Sequence, residues 1–239
     1  MRLALCLFAL LLALAAFAQD EPVGKRPYEM DWANRFQDDH PPLIDFEAMD
    51  GWTVKTENSV ATILRTREQQ LWDKYVAKFT YHATGDSPTY LVTPPQPVKI
   101  TQPFDAVSLW VYGNNWSYAP NAATPMVTLT AKFLDAQGRD VSVPLTTVVW
   151  EEWYVCTRRL TPEQIAMVKP GASFVGLQID NGRNKEDRVL FFDNLSVFTE
   201  QFPARHVVHH PPGCVILAPA PPAAGLAEIA GILPSSTQQ

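Results

Sequence analysis

Asp45 and Glu47 stand two residues apart near the start of a long run of short apolar segments, and Asp193 stands in the last of these, within Phe191-Phe192-Asp193-Asn194-Leu195. In an extended strand, residues two apart project from one face. Asp45 and Glu47 are therefore expected to share a face, and a closing strand laid beside the opening one brings Asp193 close to Glu47. Clustered carboxylates repel one another unless a cation lies between them, and hard oxygen donors favour calcium. The competing reading is that these acids are solvated or pair with Lys55 or Arg65.

Aromatic residues form the second set. Within 107–112, Ser108, Trp110 and Tyr112 fall on one face and Val107, Leu109 and Val111 on the other. On the next strand Thr128, Thr130 and Lys132 oppose Val127, Leu129, Ala131 and Phe133. These two strands are expected to build a sheet with one apolar face and one face mixing aromatic rings with hydrogen-bonding groups. A sugar ring, with apolar C–H faces and equatorial hydroxyls, suits such a surface. The loop from Gly113 adds Asn115, Trp116 and Tyr118, while Trp150, Trp153 and Tyr154 form another aromatic group. The expected ligand contacts are Trp116, Tyr118, Trp110, Tyr112 and Asn115. Packing of the tryptophans in a core is the alternative.

Other chemistry has less support. His206, His209, His210 and Cys214 are close in sequence, but Pro211-Pro212-Gly213 and the lack of surrounding periodicity speak against a zinc or copper site. There is no Gly-x-Ser-x-Gly, His-Glu-x-x-His or phosphate-cradling glycine loop. Glu151 and Glu152 are the most tempting pair for glycoside hydrolysis. Neighbouring strand residues face opposite ways, however, so a turn exposing both is the expected arrangement.

The elements that must position these residues are almost all strands. Period-two alternation marks segments from Trp52, Val60, Tyr75, Tyr90, Val98, Ala106, Met126, Val141, Trp153, Phe174 and Val189. Prolines 94, 95 and 97 read as a crossover at a sheet edge. One helix is expected after Thr161, with Pro162 at its first position and an end before Pro170-Gly171. Residues 1–18 read as a secretory signal: Arg2, an apolar run, then Ala16-Phe17-Ala18. Residues 19–42 are a polar leader in which Tyr28, Trp32 and Phe36 recur every four residues, as in a short helix laid on the domain with Asp31 as cap; an unstructured leader is the equal alternative. Residues 43–199 form the folded region, and 200–239 a Pro/Ala-rich tail or linker without a core of its own, expected to be disordered.

A formal charge of −6, with no basic cluster, argues against nucleic acid and anionic membrane as partners. No second long apolar run follows the signal, so no membrane span is expected. Once Cys6 leaves with the signal, Cys156 and Cys214 are either a disulfide or a buried thiol and an unpaired one.

Three pieces in order, Asp45-Phe46-Glu47 with Gly51-Trp52, then Ser108-Leu109-Trp110-Val111-Tyr112-Gly113, then Phe191-Phe192-Asp193-Asn194-Leu195, resemble the galactose-binding-like jelly rolls. Trp150-Glu151-Glu152-Trp153 leading to Arg159-Leu160 is similar to a Trp-rich turn common in them. The resemblance covers about 43–199. It implies an all-β fold, a jelly-roll β-sandwich of two antiparallel sheets, and a structural calcium held by Glu47 and Asp193, with Asp45 beside them. It also implies a secreted, non-catalytic, monomeric protein that binds a glycan or polysaccharide. A cell-surface protein partner is the alternative, and a glycoside hydrolase or lyase the third choice.

Overall fold

A computed structural model describes residues 22–114 and 126–200, together with the backbone of 207–209 and 215–217. Eleven strands make two antiparallel sheets. The first has the order β1 (Thr53–Glu57), β4 (Thr89–Thr93), β10 (Ala172–Asp180), β7 (Thr128–Asp135), β8 (Asp140–Thr147), with β5 (Val98–Ile100) also on β10. The second runs β2 (Ser59–Thr66), β3 (Val76–Ala83), β11 (Arg188–Phe198), β6 (Ala106–Tyr112), β9 (Trp153–Arg159). Apart from β2–β3 and β7–β8, strands next to each other in space are not consecutive in the chain, as in a jelly-roll sandwich. β4 and β5 lie in succession along one edge of β10, and the prolines at 94, 95 and 97 fill the break between them. No proline N–H is then needed in the ladder.

The alternation read from sequence sets which side of each strand is buried. Phe79, Tyr81, Tyr90, Val107, Leu109, Val111, Leu129, Ala131, Phe133, Phe174, Leu177, Leu190, Phe192 and Leu195 form one core between the sheets. Tyr90 donates its hydroxyl to the Gly182 carbonyl at 3.1 Å, and burial pushes its pKa up to about 12. Cys156 is a free, buried thiol on the same core, and burial likewise raises it to about 12. Helix α2 (Pro162–Val168) starts at the expected Thr161, which forms a capping box: Gln164 N donates to Thr161 Oγ1, and Gln164 Oε1 accepts from Thr161 N.

The structure departs from the sequence reading in four places. First, β6 and β7 belong to different sheets. Trp110 and Tyr112 therefore lie on one outer surface of the sandwich, and Thr128, Thr130 and Lys132 on the other. A period of two fixes which residues share a face of one strand, but not which sheet the strand joins. Second, 43–47 is not a strand. It touches β11 through a single antiparallel bridge, Ile44 to Leu195, where Leu43 N and Ile44 N donate to Leu195 O and Leu195 N donates to Ile44 O.

Third, the leader is a third layer with an unexpected orientation. Helix α1 (Tyr28–Trp32) buries Met30, while Tyr28, Trp32 and Phe36 are 74%, 77% and 60% exposed. Asp31 lies within the helix and caps nothing. The first residue before it is Pro27, and Asn34, at φ 53°, turns the chain out of the helix. Fourth, the chain divides into two compact units, Met1–Glu200 and Gln201–Gln239. In the second, the β-branched runs β12 (Val207–His209) and β13 (Val215–Leu217) pair as antiparallel strands where no element was expected.

Candidate functional site

A cleft of about 460 Å³ opens where β6 ends and β9 begins. Tyr112 and Trp153 are direct partners across these strands, so their side chains leave the same face. Their rings meet edge to face at 5.7 Å and 75°, and Tyr112 makes a similar contact with Phe191 at 5.9 Å and 82°. Gly113 follows directly. Its N–H donates to the Glu152 carbonyl at 3.3 Å, and any Cβ there would collide with the Trp150 carbonyl. Only glycine lets the two chain segments approach this closely. The approach puts Glu151 and Glu152 in a bend before β9, both exposed, as the turn reading anticipated.

The opposite wall is the leader. Lys25, Pro27, Glu29 and Met30 line the cleft, with Gln69 from the β2–β3 connection and Glu152 from the bend. Arg26 holds this wall in place. Its Nε donates to Leu71 O at 2.8 Å and one terminal nitrogen to Arg35 O at 2.7 Å, while the guanidinium lies over the rings of Phe36 and Trp72. Gly24 N donates to Arg67 O at 2.7 Å. Burial raises the Tyr112 pKa, and the negative charges of Glu151 and Glu152 raise it further. The indole N–H of Trp153 is buried and has no partner among the described residues.

Trp110 does not reach this cleft. It is 6% exposed and packs with Met30, Leu71 and Trp72 in a second core beneath the leader. Its Nε1 donates to Asp38 Oδ2 at 3.0 Å, and its ring meets Trp72 edge to face at 5.6 Å. The expectation that Trp110 contacts a ligand gives way to a packing role, because leader residues 30 and 38 cover it. Asn115, Trp116 and Tyr118 lie outside the described residues. Of the described candidates, Tyr112 alone lines the cleft. Trp153, Glu29, Gln69 and Lys25 were not singled out as contacts. The signal for Trp153 was its place in the Trp150-to-Tyr154 group; for the leader residues no periodic signal existed.

Asp45 parts from the other two acids, which both grip the loop 72–75. Asp193, 1% exposed, accepts from Trp72 N at 3.0 Å and Asn194 N at 2.9 Å. Glu47 Oε1 accepts from Lys74 N and Tyr75 N. Together these two carboxylates hold the backbone of 72–75, the loop that delivers Trp72 to Trp110. Burial raises the Asp193 pKa well above the ordinary carboxylate range, and the neighbouring charges of Glu47 and Asp73 add to the rise. Asp45 and Glu47 do not share a strand face, because Phe46 takes φ 54° and Asp45 Oδ1 accepts from Glu47 N in a local turn. Asp45 instead lines a shallow cleft with Trp52 and Pro94 to Pro97. Among the described residues, no three or more His, Cys, Asp or Glu side chains are grouped as a metal site.

No protein-family model matches this chain, and no curated protein matches it. Three of the solved structures similar to it are carbohydrate-binding modules. One comes from work on the promiscuous specificity of such modules from the β-sandwich superfamily. It is 13% identical with a TM-score of 0.48 over 69% of this chain, and this chain spans 63% of that one, a little under two thirds of its length. The second, TmCBM61 in complex with β-1,4-galactotriose, is 19% identical with a TM-score of 0.42, over 67% of this chain and 99% of that one. The third is the family 11 module of the cellulosomal cellulase Lic26A-Cel5E of Clostridium thermocellum. It is 13% identical with a TM-score of 0.41, over 68% of this chain and 96% of that one.

Proposed function

We propose that the protein is a secreted, non-catalytic carbohydrate-binding protein that takes its ligand in the cleft that Tyr112 and Trp153 form with the leader. The observation that carries this reading is the composition of the cleft. Two aromatic walls suit the C–H faces of a sugar ring, and Glu29, Glu152, Gln69 and Lys25 supply acceptors and donors for its hydroxyls. Titration of the full chain with soluble β-linked oligosaccharides tests it. Trp153→Ala is expected to weaken binding at least tenfold, about 1.4 kcal/mol. Undiminished affinity in that variant removes this cleft from the reading.

A calcium ion belongs to the same proposal. The buried Asp193 carboxylate, flanked by Glu47 and Asp73, is a like-charge arrangement that a divalent cation relieves. Glu47 and Asp193 would hold it, supplemented by backbone carbonyls, and its part is structural. Asp45 stands apart from that set. Added calcium is expected to raise the melting temperature, since it binds only the folded chain. A melting curve indifferent to calcium and to EGTA rejects the ion while leaving the sugar cleft untouched.

One observation favours protein recognition as a second reading: Tyr28, Trp32 and Phe36 are exposed together on the leader. Exposed aromatics of this kind are enriched where proteins meet. Cross-linking to a reproducible protein partner, lost on Trp32→Ala, would favour it. Among the described residues no helix is long and apolar enough to cross a membrane.

A further inference from the structure

The charges around the cleft carry a conclusion about which sugar it takes. Two carboxylates, Glu29 on the leader and Glu152 in the bend, face one ammonium, Lys25, and Glu151 stands next to Glu152. Neither Glu29 nor Glu152 belongs to an ion pair among the described residues. The charges of Glu151 and Glu152 reach the cleft wall, where they add to the burial that raises the Tyr112 pKa. The rings of Tyr112 and Trp153 stand nearly at right angles, and aromatic faces attract positive charge through their quadrupoles. An anion entering this space meets two carboxylates against one ammonium, beside aromatic rings. A protonated amine meets the opposite balance.

Building on the carbohydrate-binding reading, we propose that the cleft selects amino sugars. The protonated amine of a glucosamine-type unit sits between Glu29 and Glu152 against the aromatic walls, and uronic-acid polymers are turned away. The selection is electrostatic and not a matter of shape, since the amine replaces a hydroxyl of nearly equal size. It therefore weakens as salt rises, because both carboxylates are exposed.

The test is calorimetric titration of the full chain with four oligosaccharides of equal length. Their units are β-1,4-linked glucosamine, N-acetylglucosamine, glucose, and α-1,4-linked galacturonic acid, at a pH where the amine is protonated. The glucosamine oligomer is expected to bind at least tenfold more tightly than the glucose oligomer, and the galacturonate not at all. Glu152→Gln and Glu29→Gln each narrow the ratio of glucosamine to glucose affinity to about threefold, a loss of the size a single exposed carboxylate contributes to holding a cation. Both side chains are exposed, so melting curves of the variants should match the parent. Equal affinity for glucosamine and glucose oligomers, or a preference untouched by both substitutions, overturns the amino-sugar inference and leaves the carbohydrate reading standing. Binding of none of the four overturns both.

Discussion

The two outer surfaces of the sandwich are built on the same plan and have opposite fates. Across the first sheet one rung reads Lys55, Leu91, Gln178, Thr130, Pro144. Across the second, the corresponding kind of rung reads Leu64, Lys78, Phe191, Tyr112, Trp153. The first is hydroxyl, amide and ammonium with short apolar side chains, as expected of a sheet with one face in water. The second gathers aromatic rings that water does not satisfy, and the chain covers them with its own leader. Residues 22–42 thus behave as part of the fold, pinned by Arg26 to Leu71 and Arg35, by Asp38 to Trp110 and Asn194, and by the stacking of His40 on Phe198 at 3.5 Å. The cleft exists because that cover stops short of Tyr112 and Trp153. Aromatic residues on an outer face can serve either packing or recognition, and the covering segment decides which.

The largest effect that distinguishes the two faces is expected from Trp110→Ala. A buried tryptophan replaced by alanine loses about 3–5 kcal/mol, read as a shift in the urea midpoint. A loss below about 1 kcal/mol, the size expected at an exposed site, would mean that the leader does not cover Trp110 in solution. Arg26→Ala should cost less, about 1–3 kcal/mol, because it leaves the carbonyls of Leu71 and Arg35 without their donor. It should also make 22–42 a preferred target in limited proteolysis. A protease pattern unchanged by this substitution would place the anchoring of the leader elsewhere.

Which parts of this contrast could be read in the sequence follows from what periodicity encodes. Val107, Leu109 and Val111 against Ser108, Trp110 and Tyr112 is a two-residue rhythm set by the pleat, so the inward and outward sides of β6 were legible. So was the start of α2, because Thr161-Pro162 with Gln164 is chemistry local to one turn. The meeting of 43–44 with Leu195 was legible as a juxtaposition, but the kink at Phe46 was not, since a non-glycine residue at positive φ leaves little compositional trace. Assignment of β6 and β7 to different sheets is a long-range property with no signal in either strand. The short helix of the leader was legible, but the side it buries was not. Tyr28, Trp32 and Phe36 have helical spacing, yet the contacts that hold the segment come from Arg26, Met30 and Asp38, which keep a four-residue step but form no apolar stripe because two of them are charged.

The first sheet supplies an ionic control that does not involve the leader. Asp135 ends β7 in the tight turn to β8. There burial works to raise its pKa, but hydrogen bonds from Arg139 N, the Arg139 guanidinium and Gln137 N, with the guanidinium charge, bring the net value below 3.8. A carboxylate lowered in the folded state contributes stability above its unfolded pKa and loses it as the pH falls through the folded value. Stability should therefore decline below about pH 3.8 partly through this turn. Asp135→Asn should flatten that part of the profile while leaving leader proteolysis as it was. A leader released by Asp135→Asn would show that the two faces are coupled through the core.

The smallest expected effect is the one that could reverse the comparison. Thr130 and Gln178 are register partners in the middle of the first sheet's outer face, half-buried beside Leu91 and Lys55. Their polar row could itself offer hydroxyl and amide groups to a saccharide laid across the strands. It has no aromatic ring on which a sugar could stack, however, and hydrogen bonds to exposed groups exchange with water for little net gain. Thr130→Ala and Gln178→Ala are thus expected to change stability by no more than about 0.5 kcal/mol each. Oligosaccharide affinity should remain within about twofold, far from the 1.4 kcal/mol that a tenfold loss represents. The measurement is the same titration used for Trp153→Ala, with all three variants set side by side. A tenfold loss from Thr130→Ala or Gln178→Ala, with Trp153→Ala unaffected, would move the ligand to the uncovered polar face and leave the aromatic cleft as unfilled space at the edge of the leader.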